Sequence, residues 1–190
     1  MRELKSVEEK ILDRALYLIG KNRSLNISIR AISKEAGVNV SAINYYFRTK
    51  EEMLRQAKEL YVANTLSVKA ILENEELGLE EKLLNAANEI MEYIIRYPGI
   101  DVLLRDAKEK EDETSVRVLA VSDEMTEGLN RILDSLLTGD KGLNCKHIIF
   151  WSAINYPVED NPFMKYSTAL TRDRETRISY IKQLLTMLQQ

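Results

Sequence analysis

Cysteine and histidine are nearly missing from this chain of 190 residues, and much of the chemistry a protein can host is missing with them. A single cysteine, Cys145, excludes an internal disulfide and a cysteine-rich zinc site, and one histidine, His147, leaves too few ligands for a metal centre. No metal and no cofactor is therefore expected. The same scarcity removes the common nucleophile and base pairs, and no acid-base constellation stands out among the scattered carboxylates, so no enzymatic activity is expected. No apolar run approaches the roughly 18 residues that a membrane span needs. The first residues, Met1-Arg2-Glu3-Leu4-Lys5, lead into a charged amphipathic stretch with neither an apolar signal core nor a small-residue cleavage site, which predicts a cytoplasmic protein. Proline is scarce as well. Pro98, Pro157 and Pro162 each fall where a helical pattern stops, and alternating strand patterns are almost absent, so the chain reads as all-α.

Charge of one sign is not lacking, but it is unevenly placed. Residues 1–50 hold ten Lys or Arg against five Asp or Glu, a net +5, which leaves -8 on the rest of a chain whose total is -3. A basic head on an acidic body is the asymmetry expected when one end neutralises phosphates and the other stays off them.

Helical periodicity and capping residues divide the chain into nine segments. Ser6 opens a first helix over about 7–21, with Glu9 placed to complete a capping box and Ile11, Leu12, Ala15, Leu18 and Ile19 as its apolar stripe. Ser28 opens a short second helix over 29–36, closed by Gly37, where the chain must leave through positive φ. Asn39 opens a third over 40–47 after a three-residue turn, which is the helix-turn-helix spacing. A fourth is expected over about 50–72, ending at the acidic, glycine-containing stretch 73–78. Further helices are expected near 79–97, 100–108, 114–137, 143–156 and 172–188, with a solvated link at 108–113, a loop at 139–142 and an irregular crossover at 157–162. The expected domains are 1–50, a basic helix-turn-helix head, and 51–190, a helical body. Helix four is the expected continuous link between them.

The stretch Ile32 to Glu52 carries the functional information. At about 100° per residue, Ile43 and Phe47 share one face of the third helix and should plug into a core with Ile11, Ala15, Ile32, Ala36 and Val38. The opposite face is centred on Ser41 and Tyr45, with Ala42 beside them, Asn44 and Tyr46 on the flanks, and Asn39 and Val40 at the helix start. A short helix with a small, polar and aromatic outer face and no acid suits the DNA major groove. The Asn44 amide can pair with adenine or meet a phosphate, Ser41 offers a hydroxyl, and the Ala42 methyl can meet thymine. The phenols of Tyr45 and Tyr46 suit phosphate. Lys50 adds charge at the start of helix four, where free backbone amides also favour phosphate, and Ser28 and Arg30 are expected to touch backbone on the other groove wall.

These residues resemble the TetR family of helix-turn-helix transcriptional regulators. The resemblance rests on Ala36-Gly37-Val38, Ile43, Tyr46-Phe47, Lys50-Glu51 and Leu54; it is close over residues 7–54 and extends beyond them only as helix order. Asn44 departs from it, since the commonest family pattern has tyrosine there. The resemblance implies a two-fold dimer through the last two helices, an effector pocket in the middle helices, and release of double-stranded operator DNA when the effector binds. An activator or a ligand-free adaptor with the same fold is the alternative.

In the C-terminal part, Tyr93, Tyr97, His147 and Trp151 are the candidate pocket residues, with Phe150, Tyr156, Phe163 and Tyr166 as further aromatics available to line a cavity or fill a core. His147 and Trp151 lie one turn apart. Ile181, Leu184, Leu185 and Leu188 form an apolar seam on the last helix, and Ile149 belongs to a run that is hydrophobic nearly all round. Both are expected at a homodimer interface.

Overall fold

The computed structural model describes residues 6–97, 100–137, 143–155, 170 and 173–190. Among these it holds nine α-helices and no strand: α1 (Val7–Asn22), α2 (Ile29–Ala36), α3 (Val40–Phe47), α4 (Lys50–Glu73), α5 (Leu79–Arg96), α6 (Ile100–Glu109), α7 (Glu113–Leu136), α8 (Leu143–Asn155) and α9 (Arg174–Leu188). Every helix expected from periodicity is present with its ends within two residues. The expectations for 139–142, for the crossover 157–162, for the three prolines and for Tyr156, Phe163 and Tyr166 fall outside the described residues.

The boundaries follow from side chains that satisfy the end groups of each helix. Ser6 Oγ accepts from the Glu9 amide at 3.1 Å, Ser28 Oγ from Ala31 at 3.1 Å, and Asn39 Oδ1 from Ala42 at 2.7 Å. Thr49 does the same for Glu52, and Asp112 for Ser115. Gly37 closes α2 at φ 66°, with its amide donating to Lys34 and the Val38 amide to Ser33, a Schellman pair. Arg23 closes α1 in the same way at φ 47°, although it carries a side chain.

The chain forms two compact units. The first comprises Met1–Thr65 and Tyr97–Ser122, the second Leu66–Arg96 and Asp123–Gln190. Unit 1 therefore holds α6 and the start of α7 as well as the helix-turn-helix. The chain passes between units inside α4, between Arg96 and Tyr97, and inside α7, so α4 is not the sole continuous helical link that the sequence suggested. In unit 1, Ile11, Ala15, Ile19, Ile32, Ile43, Phe47, Met53 and Leu103 are buried, and α1 packs on both α2 and α6. Ala36 and Val38, expected in this core, are only half-buried, because they flank the αL turn at Gly37 where the chain comes to the surface.

Unit 2 has its own core, in which α9 packs against α5 and α8. Leu83, Ala87, Met91, Leu129, Leu133, Phe150 and Ile154 meet Ile181, Leu184, Leu185 and Leu188 there. The apolar seam of the last helix is thus taken up within the chain itself, which corrects the expectation that those four residues face a second copy. Ile149 is 50% exposed, and Ile148 and Met187 are exposed as well. No described helix is long and apolar enough to cross a membrane.

Candidate nucleic-acid interface

The third helix is oriented by its two buried residues. Ile43 and Phe47 are each about 1% exposed and fix α3 on α2 and the core of unit 1. The remaining faces are turned outward: Ser41 and Asn44 are exposed, Ala42 is half-buried, Tyr46 is exposed, and Tyr45 is 81% exposed. An 81% exposed tyrosine within a helix-turn-helix keeps most of its ring surface outside the fold and remains available to a partner. Tyr45 and Tyr46 meet edge-to-face with ring centroids 5.3 Å apart, which orients both phenols.

The flanking groups keep unused donors. The Ser28 and Asn39 side-chain oxygens are engaged as caps, but the Ser28 hydroxyl hydrogen and the Asn39 amide NH2 point at no described acceptor. Val40 is 37% exposed at the start of α3. Between α3 and α4, Arg48 adopts φ 52°, ψ -50°, and the Thr49 amide donates to the Phe47 carbonyl. This is a strained γ-turn, and it reverses the chain so that Lys50 begins α4 immediately beside the end of α3.

Electrostatics distinguishes this surface from the rest of the unit. Among the described residues Lys10, Arg23, Arg30, Lys34, Arg48 and Lys50 have no carboxylate partner, while Lys21 and Arg14 lie over the Tyr17 ring at 5.7 and 5.1 Å. Arg14 is the exception, bonded to Asp13 at 2.5 Å and 4.0 Å from Glu35. Further along α4, toward α6 and the start of α7, most charges are paired. Hydrogen bonds from Arg55 and Gln56, aided by the Arg55 charge, hold the Glu52 carboxyl down at about 2. Arg117 lies 3.0 Å from Glu59, and Lys58 lies 2.8 Å from Asp106. A groove of about 850 Å³ runs along this side, lined among others by Leu25, Lys50, Leu54, Lys58, Asp106 and Arg117.

The candidate pocket residues do not gather at a described cavity. Tyr97 belongs to unit 1, where it is 1% exposed and donates its hydroxyl to Asp13 at 2.5 Å. In unit 2, Trp151 donates to Asn130 at 2.8 Å, His147 lies 3.2 Å from Asp134, and Tyr93 is half-buried. None of the four lines the 850 Å³ groove or the 390 Å³ one between Lys69 and Arg131. No group of His, Cys, Asp or Glu suited to a metal ion is found among the described residues.

Three buried charged residues escaped the sequence reading: Asp13 at 2%, Lys58 at 4% and Arg177 at 4% exposure. Arg177 donates to Asn88, Glu92 and the Leu170 carbonyl. One signal was available for Lys58, which follows Leu54 by four residues and precedes Tyr61 by three, on the apolar stripe of α4.

Residues 11–57, within unit 1, match the family model described as bacterial regulatory proteins, tetR family. No curated protein matches the chain. Among solved structures the chain is similar to HlyIIR, a hemolysin II transcriptional regulator, at 21% identity and a TM-score of 0.62, with 97% of each chain covered. It is similar to a TetR-family transcriptional regulator from Bordetella parapertussis 12822 at 14% identity and 0.65, covering 97% of this chain and 95% of the other. It is also similar to a protein described as superantigen pfit, at 19% identity and 0.63, covering 99% and 92%. At these identities the structures share a fold, and a fold can carry different jobs. The match over 11–57 coincides with the elements that present α3.

Proposed function

We propose that this chain, a member of the TetR family of transcriptional regulators, is a homodimeric repressor that binds double-stranded operator DNA through α3 and is released from it by a small-molecule effector. The observation that carries the DNA-binding part is the outer face of α3. Ser41, Asn44 and Tyr45 stand free on a helix fixed from behind by Ile43 and Phe47, within a head most of whose described cations, Arg14 excepted, lack carboxylate partners. Asn44 and Ser41 read base edges, Ala42 and Val40 supply apolar contact, and Tyr45, Tyr46, Arg30, Lys50 and the caps Ser28 and Asn39 hold phosphates.

Dimerisation is supported by what the single chain leaves uncovered. Ile148 and Ile149 on α8 and Met187 on α9 are exposed apolar side chains, and two-fold pairing of those helices covers them in both copies at once. Two heads then address half-sites one helical turn apart, about 34 Å. The effector part rests on the family. A ligand that prefers the non-binding state by about 3 kcal/mol lowers operator affinity roughly a hundredfold, and linkage demands that the operator weaken ligand binding by the same factor.

The test is selection from a randomised duplex library by the full chain. The expected product is a near-palindromic site with half-sites one turn apart, and Asn44→Ala should cost about 1–3 kcal/mol of discrimination at one base pair per half-site while leaving nonspecific affinity unchanged. Enrichment no better than chance sinks the DNA-binding reading. Equal ligand affinity for free and operator-bound protein sinks release and leaves a ligand-free regulator.

A further inference from the structure

The segment Tyr97–Ser122 is joined to the DNA-binding elements by two polar clasps inside unit 1, and we propose that Lys58 is a positioning residue for DNA binding, acting through the start of α4. The inference rests on the DNA-binding reading above. It adds a residue that touches no nucleic acid and that neither the motif nor the fold likeness singles out.

Lys58 is 4% exposed, and its ammonium is held from three points on other elements. Asp106, near the end of α6, lies at 2.8 Å; Ser115, in the first turn of α7, accepts at 2.7 Å; and Asp112, in the turn between them, lies at 3.9 Å. The acceptors are fixed in turn. Asp106 also receives Lys110 at 3.1 Å, and Asp112 accepts from both the amide and the hydroxyl of Ser115. A buried ammonium is tolerated only while it is compensated, because an uncompensated one carries its whole desolvation cost. Loss of these partners would leave that cost unmet, so the clasp holds α4 to the α6–α7 corner.

Lys50 is two turns up the same helix, about 12 Å away at 1.5 Å per residue, and it opens on the same groove as Lys58. Anchoring Lys58 therefore sets where Lys50, and the free amides at the α4 N-terminus, meet a phosphate. A second clasp completes the frame. The Tyr97 hydroxyl donates to buried Asp13 of α1 at 2.5 Å, and α6 packs on α1. The α6–α7 corner is thus registered to both α1 and α4, the helices on either side of the α2–α3 pair in sequence.

The experiment measures affinity of the full chain for the duplex it selects, across a salt series, with helicity and thermal unfolding followed in parallel. Lys58→Met should weaken binding by about tenfold among folded molecules. It should also lower the salt slope by about one unit, as the Lys50 contact is lost. Lys58→Arg should recover most of both. Tyr97→Phe, which removes one hydroxyl, should weaken binding by about threefold at unchanged helix content, and it decides the matter if Lys58→Met does not fold. A lower melting temperature with wild-type affinity and salt slope would show a purely structural clasp and overturn the proposal, as would wild-type binding by Tyr97→Phe where it is the deciding variant. A wild-type chain that selects no duplex is a different failure: it removes the DNA-binding reading and this inference together.

Discussion

Lys50 and Lys58 stand two turns apart on α4 and have opposite surroundings. Lys50 is half-buried with no carboxylate partner among the described residues, whereas Lys58 is buried with two aspartates and a serine around it. The contrast extends to their regions: the cations of the helix-turn-helix are mostly unpaired, and those facing the α6–α7 corner are engaged inside the chain. A lysine whose charge is satisfied internally has little to offer a phosphate, while one left unsatisfied destabilises nothing at the surface and retains its counterion for release. Net charge by segment cannot tell the two apart.

The largest effect that would test this division is at α3. Phe47→Ala removes a fully buried ring and should cost about 3–5 kcal/mol of unfolding free energy in urea. Tyr45→Ala, on the exposed face, should stay within about 0.5 kcal/mol of the parent while weakening DNA binding. Comparable losses of stability for both would mean that α3 has no free face. Next comes the contrast on α8 and α9. Ile149→Glu should give a folded monomer by sedimentation, whereas Leu184→Glu, in the core of unit 2, should lose helicity. A folded monomer from Leu184→Glu would return the seam to the interface.

A smaller effect separates the two kinds of cation directly. Lys50→Ala should lower the salt slope of DNA binding by about one unit on any sequence, and Arg117→Ala, whose charge is engaged with Glu59 at 3.0 Å, should leave the slope alone. The smallest concerns acid. Burial pushes the Asp106 carboxyl up, but hydrogen bonds and charge from Lys58 and Lys110 outweigh it and hold the group below its usual value. Its contribution to stability is then fully present above about pH 5 and is lost as pH falls through the ordinary carboxylate range toward the lower folded value. Asp106→Asn should flatten that part of the stability profile; an unchanged profile would mean that the Lys58 clasp does not favour the ionised aspartate.

The helices were legible because their ends are written locally: Ser6, Ser28, Asn39 and Gly37 each act within four residues, and Ile43 and Phe47 share a face by rotation alone. The Lys58–Ser115 and Asp13–Tyr97 bonds were not, since they join residues 57 and 84 positions apart and periodicity assigns charged residues to solvent by default. The seam on α9 was legible as apolar but not as to what covers it, because an intrachain core and a subunit interface want the same side chains. Tyr97 was assigned to a pocket for the same reason. A tyrosine at the end of an amphipathic helix is equally suited to a cavity wall and to a buried carboxylate, and only the fold brings Asp13 within 2.5 Å of it.

The discontinuity of unit 1 has a consequence for how the protein is made. Its N-terminal part reaches the ribosome exit first, yet Tyr97, α6 and the start of α7 must still be synthesised before the Asp13 and Lys58 clasps can close. At about 5–20 residues per second, the stretch from 66 to 122 takes roughly 3 to 11 s. Through that interval Asp13 has Arg14 but not yet the Tyr97 hydroxyl, Lys58 has yet to meet Asp106, Asp112 and Ser115, and the contacts awaited are of the non-local kind that form slowly. The DNA-reading head of a nascent chain is therefore completed late, after most of the intervening unit 2 segment 66–96 has emerged.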